Sequence, residues 1–212
     1  MNARRRILAA SLAAATLALL GSQVHAQAPK VLKISHQFPG GTIDEGDFRD
    51  RMVRKFAAEV EKRTNGQLKF EIYPGGSLVK PVEQWGAMAN GSLDLSLYPL
   101  AYAGGRVPEL NIGLMPALVT SYEQGLRWKD APIGKELTRI VEEKGVKIIT
   151  WVWQAGGIAS RGKPILQPDD VKGLKFRGGS KEMDMMLKAA GASPTNVPSS
   201  EIYNAMQSGV LD

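Results

Sequence analysis

Between Lys30 and Tyr98 the apolar residues alternate between a strand period and a helix period, and this rhythm restricts the fold more than any other property of the chain. Lys30 to His36 alternates as a strand, and Gln37 to Gly46 is a polar, glycine-rich loop. Met52, Phe56 and Val60, with Val53 and Ala57, mark one face of a helix that Asn65-Gly66 closes. Leu68 to Tyr73 reads as a second strand and Pro74-Gly75-Gly76 as a turn. Val82, Trp85, Met88 and Ala89 mark a second helix face ending at Asn90-Gly91, and Leu93 to Tyr98 is the third strand. Strands separated by helices predict a mostly parallel α/β sheet.

The rhythm continues. Ser121-Tyr122-Glu123-Gln124 has capping-box spacing, Ile133 to Lys144 is a helix stopped by Gly145, and Val146 to Trp153 reads as a strand rich in β-branched and aromatic residues. The composition then shifts: Gln154 to Pro168 holds Gly156, Gly157, Gly162, Pro164 and Pro168 and follows no period, as expected of a crossing between lobes. Beyond it lie a strand from Leu174 to Arg177, a helix from Lys181 to Ala190, a strand near Val197, a helix from Ser199 to Gln207, and at Gly209 to Asp212 the opening of another strand. The division expected is lobe I over residues 27–151 and part of lobe II over 152–212.

Residues 1–26 read as a secretory leader. Arg4, Arg5 and Arg6 precede an apolar run of 14 residues, Ile7 to Leu20, and Val24-His25-Ala26 supplies the small residues of a cleavage site after Ala26. The run is shorter than the ~18 residues of a spanning helix, and no cysteine follows it for lipidation, so a free periplasmic product is expected. The whole chain has 27 Lys+Arg against 21 Asp+Glu, and removing the three leader arginines lowers the net charge from +6 to +3. Basic and acidic residues are interspersed, as in Glu59-Val60-Glu61-Lys62-Arg63, which argues against nucleic acid as a partner. With no cysteine the fold must be held by apolar burial, and thiol nucleophiles and thiolate metal sites are excluded. His36 is the only histidine outside the leader.

Among candidate site residues, Arg177 ends the stretch Gly173-Leu174-Lys175-Phe176 and precedes Gly178-Gly179 and a helix start at Ser180. A βα unit can aim a guanidinium from such a position into a crevice at the carboxyl end of its strand, where a carboxylate is the matching guest. A solvated surface arginine is the competing reading. Arg161, in the glycine-rich connection, is either a second ligand contact or a surface charge. His36 ends the first strand, as a ligand contact or a loop-stabilising hydrogen bonder. Tyr98 and Trp153, at strand ends, either wall a ligand or pack in the core, and Tyr203 reads as packing. Asp44, Glu45 and Asp47 lack the spacing of a calcium loop and read as helix-start acids, with Asp47 as cap. No nucleophile elbow, phosphate loop or dinucleotide fingerprint is present, and neither a cofactor nor a metal is expected.

Six segments in order resemble the DctP family, the periplasmic solute receptors of TRAP transporters. They are His36-Gln37-Phe38-Pro39, Arg63-Thr64-Asn65-Gly66, Ile72 to Leu78, Asn90 to Leu95, Pro164-Ile165 with Asp170 to Arg177, and Glu201 to Asp212. The resemblance implies a two-lobed, class II periplasmic-binding-protein-like α/β fold that closes on a small organic acid and delivers it to TRAP permease subunits in the inner membrane. It implies no enzyme activity, and it assigns to Arg177 the grip on the ligand carboxylate. The family often places a polar or cationic ligand contact just after the strand that ends here at Trp153. This chain has Ala155-Gly156-Gly157 there, leaving Gln154, Ser160 and Arg161 as nearest substitutes. The family pattern also continues past the position of Asp212, so the expectation is a C-terminally truncated chain with missing elements. A periplasmic sensor that presents its ligand to a signalling receptor, and a hydrolase or lyase on a similar scaffold, are the rival readings.

Overall fold

The computed structural model describes residues 28–212, so the leader and its cleavage after Ala26 lie outside the described residues. Strand β1 (Lys30–His36) is the centre of a three-stranded parallel sheet between β2 (Leu68–Tyr73) and β3 (Leu95–Leu97). The register pairs Ile34 with Ile72 on one side and with Leu95 on the other, so the apolar positions of all three strands align. Helix α1 (Phe48–Arg63) connects β1 to β2. Its N-cap Asp47 accepts a hydrogen bond from Arg49 N at 2.9 Å, and the Asn65-Gly66 stop adopts left-handed φ values of 50° and 74°. The side chain of Arg49 also bonds Asp47, which holds that carboxyl below its ordinary pKa.

The buried stripe of α1 is rotated from the one read in the sequence. Asp50, Val53 and Ala57 face inward, whereas Met52 and Val60 are half-buried and Phe56 is exposed against Phe70. A short 3₁₀ turn (Pro81–Glu83) leads into α2 (Gln84–Ala89), which buries Trp85. Gln84 is buried too and fully employed: its amide donates to Val79 O at 3.0 Å and Ser35 Oγ at 3.3 Å, and accepts from Ser96 Oγ at 2.7 Å. That network ties α2 to β1 and β3 without stranding a polar group.

After β3 the chain runs through 3₁₀ segments at Leu100–Ala103 and Pro108–Leu114, then α3 (Tyr122–Arg127), capped by Ser121, and α4 (Pro132–Glu143). Trp85, Val107, Leu110, Trp128, Leu137 and Val141 form the main apolar core of this part. The expected strand from Val146 to Trp153 is not formed: among the described residues no strand pairs with it. Val146, Ile148, Trp151 and Trp153 pack on that core while Ile149 and Val152 stay exposed, so side-chain burial alone explains the strand-like composition.

Beyond residue 160, β4 (Lys175–Phe176) pairs in parallel with β5 (Ser193–Pro194), joined by α5 (Lys181–Ala189) with Ser180 as its N-cap. The strand expected near Val197 lies three to four residues earlier. Helix α6 (Ile202–Gln207) follows a 3₁₀ turn at Ser199–Glu201. Gly209 to Asp212 completes no ladder, although Asp212 N donates to Lys175 O at 3.0 Å and Lys175 N to Asp212 Oδ2 at 2.8 Å, beside β4. Two small apolar clusters hold this part, one around Val171, Phe176, Leu187 and Ala192 and one of Val197, Ala205 and Leu211.

Candidate functional site

All pairings in both sheets are parallel, so within each sheet the strands release their chains at the same, carboxyl end. His36 is in register with Leu97, which sets Gln37 beside Tyr98 where β1 and β3 end. In the second sheet Phe176 is in register with Pro194, and Arg177 leaves the end of β4 near the segment Val197 to Ser199 that follows β5. The two sets of strand ends meet at one atom, the hydroxyl of Tyr102.

That hydroxyl accepts from Arg177 Nη2 at 2.7 Å and from the backbone N–H of Ser199 at 3.0 Å, and it donates to Gln37 Oε1 at 3.1 Å. Ser199 Oγ lies 3.2 Å away. One hydrogen and two lone pairs are thereby in use, the full capacity of a phenol. Gln37 comes from the end of β1 and Tyr102 from the 3₁₀ turn after β3, so it is the bonds from Arg177 and the Ser199 N–H that join the ends of the first sheet to those of the second. Arg177 Nε donates to Val197 O at 2.8 Å, and its fork lies 5.8 Å from the Tyr102 ring centre. A guanidinium has five N–H donors, and these two bonds leave three, including both on Nη1.

The turn that carries Arg177 is pinned from both sides. Asp184, in the first turn of α5, accepts the Gly178 N–H at 3.1 Å; burial raises its carboxyl pKa, while the Gly178 N–H and the Arg177 charge pull it down. Gly179 has φ of +90°, and a Cβ there would sit 2.6 Å from Arg177 Nη1. Gly179→Ala must therefore strain the backbone and push the fork aside. A loss of about 1–3 kcal/mol of stability is expected in urea unfolding, and an unchanged midpoint would contradict the close packing.

The other residues singled out in the sequence are placed as follows. Tyr98 meets Tyr102 edge-on with ring centres 6.1 Å apart and Trp85 at 6.2 Å; its buried Oη has no partner among the described residues, and burial raises its phenol pKa. His36 is fully buried, with Nε2 3.1 Å from Asp50 Oδ1 and Nδ1 unpartnered among the described residues. Asp50 Oδ2 also accepts from Gly41 N at 2.9 Å and Arg54 Nε at 2.7 Å, so this cluster fastens the loop after β1 to α1. Trp153 stacks on Trp151 at 6.3 Å, meets Trp128 at 5.1 Å and lies so close to Gly125 of α3 that a Cβ there would be 2.8 Å from its ring. Gln154 is exposed. Arg161 Nη1 donates to Met206 O at 2.8 Å, which places its charge at the carboxyl end of α6, where a cation is favoured. Arg177 and Tyr98 are thus brought together around Tyr102, with His36 one residue from Gln37, whereas Trp153, Gln154 and Arg161 make their contacts elsewhere. Two surface hollows, about 380 Å³ beside Pro108, Leu137 and Glu182 and about 760 Å³ along the outer face of α1, are lined by none of these residues.

Burial pushes the His36 pKa below its ordinary value, against the opposing pull of Asp50. A folded pKa below the unfolded one, about 6.5, means that the unfolded chain binds the proton more readily. The stability this group contributes is complete above about pH 6.5 and is lost as the pH falls through the lower folded value. His36→Gln should flatten the decline of the urea midpoint on acidification below about pH 6.5; an identical slope would exclude His36 as its source.

Tyr102 and Gln37 are the contacts the sequence reading did not select. Gln37 lies inside the His36-Gln37-Phe38-Pro39 segment, whereas Tyr102 is 65 residues from Gln37 and 75 from Arg177, a separation that leaves no local pattern.

Residues 40–212 match the family model of the bacterial extracellular solute-binding proteins, family 7 (DctP). A solute-binding protein of Albidiferax ferrireducens is 66% identical over 181 residues, which is 85% of this chain and 54% of that protein. The C4-dicarboxylate-binding periplasmic protein DctP of Rhodobacter capsulatus is 33% identical over 211 residues, 98% of this chain and 62% of that protein. The crystal structure of a TRAP periplasmic solute binding protein from Rhodoferax ferrireducens with bound malonate is similar at a TM-score of 0.84 and 66% identity, over 85% of this chain and 57% of that one. The chain therefore spans between about half and three fifths of the length of these three proteins.

Proposed function

Because this chain belongs to the DctP family of bacterial extracellular solute-binding proteins, receptors and not enzymes, we propose that it captures a small organic acid by the carboxylate and passes it to TRAP permease subunits. The proposed ligand site is the meeting of the two sets of strand ends. Arg177 offers the carboxylate its Nη1 end, Gln37 and Tyr98 form the opposing wall, and Tyr102 bonds to Nη2 from behind the fork. The observation that carries this reading is the position of Arg177 at the carboxyl end of β4, with its Nη2 bonded across to Tyr102 and three N–H donors to spare. A carboxylate accepts two parallel N–H bonds from such a fork, and charge-assisted bonds of this kind strengthen where water is excluded. The malonate held by a 66% identical protein is the chemistry that this site would take.

In this proposal residues 27–151 and 152–212 belong to two lobes. A ligand touching both lobes prefers the closed form and shifts the population toward it. Cleavage after Ala26 and release into the periplasm belong to the same reading.

A thermal-shift panel of mono- and dicarboxylates tests it, because a ligand that binds only the folded protein stabilises by about 2.7 kcal/mol at 100 times its Kd. Malonate or a near relative should raise the melting temperature. A flat response to every acid in the panel would overturn the reading. Delivery is tested by uptake of the same acid in cells, which must require the permease.

A further inference from the structure

We infer that Tyr102 is the positioning residue for Arg177: its hydroxyl holds the guanidinium in the orientation that presents Nη1 to an anion, and it does so from the other sheet. The inference rests on the carboxylate reading of Arg177 proposed above. It starts from geometry. A guanidinium at the end of a flexible stem, in a turn with two consecutive glycines, has several orientations open to it. Two acceptors fix it, Val197 O on Nε and Tyr102 Oη on Nη2. The carbonyl lies just after β5, the strand paired with β4, on the same side of the site as Arg177. Tyr102 follows β3 and is bound to Gln37 after β1, so its bond relates the fork to the opposite wall of the site.

The hydroxyl is itself well fixed. Its ring is held edge-on by Tyr98, and its donor and both acceptor sites are filled. The Ser199 N–H donates into the same oxygen, so the backbone after β5 is drawn to the same point. A single phenol thereby sets the fork against the first sheet and orders the two segments of the second that flank it. Phenylalanine at this position would keep the ring and its packing and remove only these bonds.

The experiment compares the wild type, Tyr102→Phe, Arg177→Lys and the double variant in two arms. In the ligand-free arm, nitrogen NMR of the Arg177 side chain reads rotation about its guanidinium bonds. That rotation should be slow in the wild type and faster in Tyr102→Phe. In the second arm, calorimetric titration uses malonate. Tyr102→Phe should weaken malonate by roughly 10- to 100-fold, the worth of a hydrogen bond to a charged group. In the Arg177→Lys background the same change should cost less than about twofold, because there is no fork left to orient. Unchanged Arg177 rotation in Tyr102→Phe overturns the inference whether or not malonate binds. So does an equal loss of affinity in both backgrounds, which would mark Tyr102 as a direct contact or a structural prop. If Arg177 is loosened in Tyr102→Phe but the wild type binds no carboxylate, the orienting role stands and the carboxylate reading alone falls.

Discussion

Arg177→Ala is expected to weaken binding of malonate, or of whichever acid the panel selects, by about one and a half to three and a half orders of magnitude. The range follows from the roughly 2–5 kcal/mol lost when one partner of a buried charge pair is removed, at 1.4 kcal/mol per tenfold. Arg177→Lys keeps the charge but not the fork: a compact ammonium cannot offer two parallel N–H donors and at the same time hold Val197 O and Tyr102 Oη. It should therefore bind poorly as well. The fold should tolerate both changes, since Arg177 is only half-buried and the apolar cluster around Phe176 is left intact. Calorimetric affinities equal to the wild type in both variants would remove Arg177 from the site.

The largest loss of stability is expected at Asp50. Its carboxylate is fully buried and serves three donors at once: the His36 imidazole, the Gly41 N–H and the Arg54 guanidinium. Asp50→Ala leaves the buried imidazole and the amide without an acceptor, and it leaves a mostly buried guanidinium without its counter-charge. Breaking a buried pair from one side costs about 3–5 kcal/mol, a large share of the 5–15 kcal/mol typical of a folded domain. Because Asp50 anchors the loop that carries Gln37, ligand affinity should fall along with stability. Urea unfolding measures the first effect, and a midpoint within error of the wild type would show that the cluster is dispensable.

The sequence disclosed those parts of the molecule whose cause is local. β1, β2 and the caps of α1, α3 and α5 are set by apolar alternation and by Asp47, Ser121 and Ser180, each of which acts within three residues of itself. The place of Arg177 at a strand end was legible for the same reason, since a strand end followed by two glycines and a serine cap is a short-range pattern. Tyr203, read as packing, is instead exposed on α6; the other failures are matters of pairing at a distance. Val146 to Trp153 has the composition of a strand, but a ladder needs a neighbour, and these residues satisfy their burial against Trp128 and its surroundings instead. The inward stripe of α1 turned because Asp50, polar by type, is held inside by His36, 14 residues earlier. Tyr102 is the extreme case: nothing near it in the chain reveals a hydroxyl that joins Gln37, Arg177 and Ser199.

A crystal structure of the protein grown with malonate tests the central claim most directly. The account predicts one carboxylate of malonate on the Nη1 end of Arg177, within hydrogen-bond distance, with Tyr102 still bonded to Nη2 and the ligand lying between the ends of β1 and β3 and the end of β4. Malonate bound elsewhere, with Arg177 turned to solvent and making no contact with the acid, would contradict it.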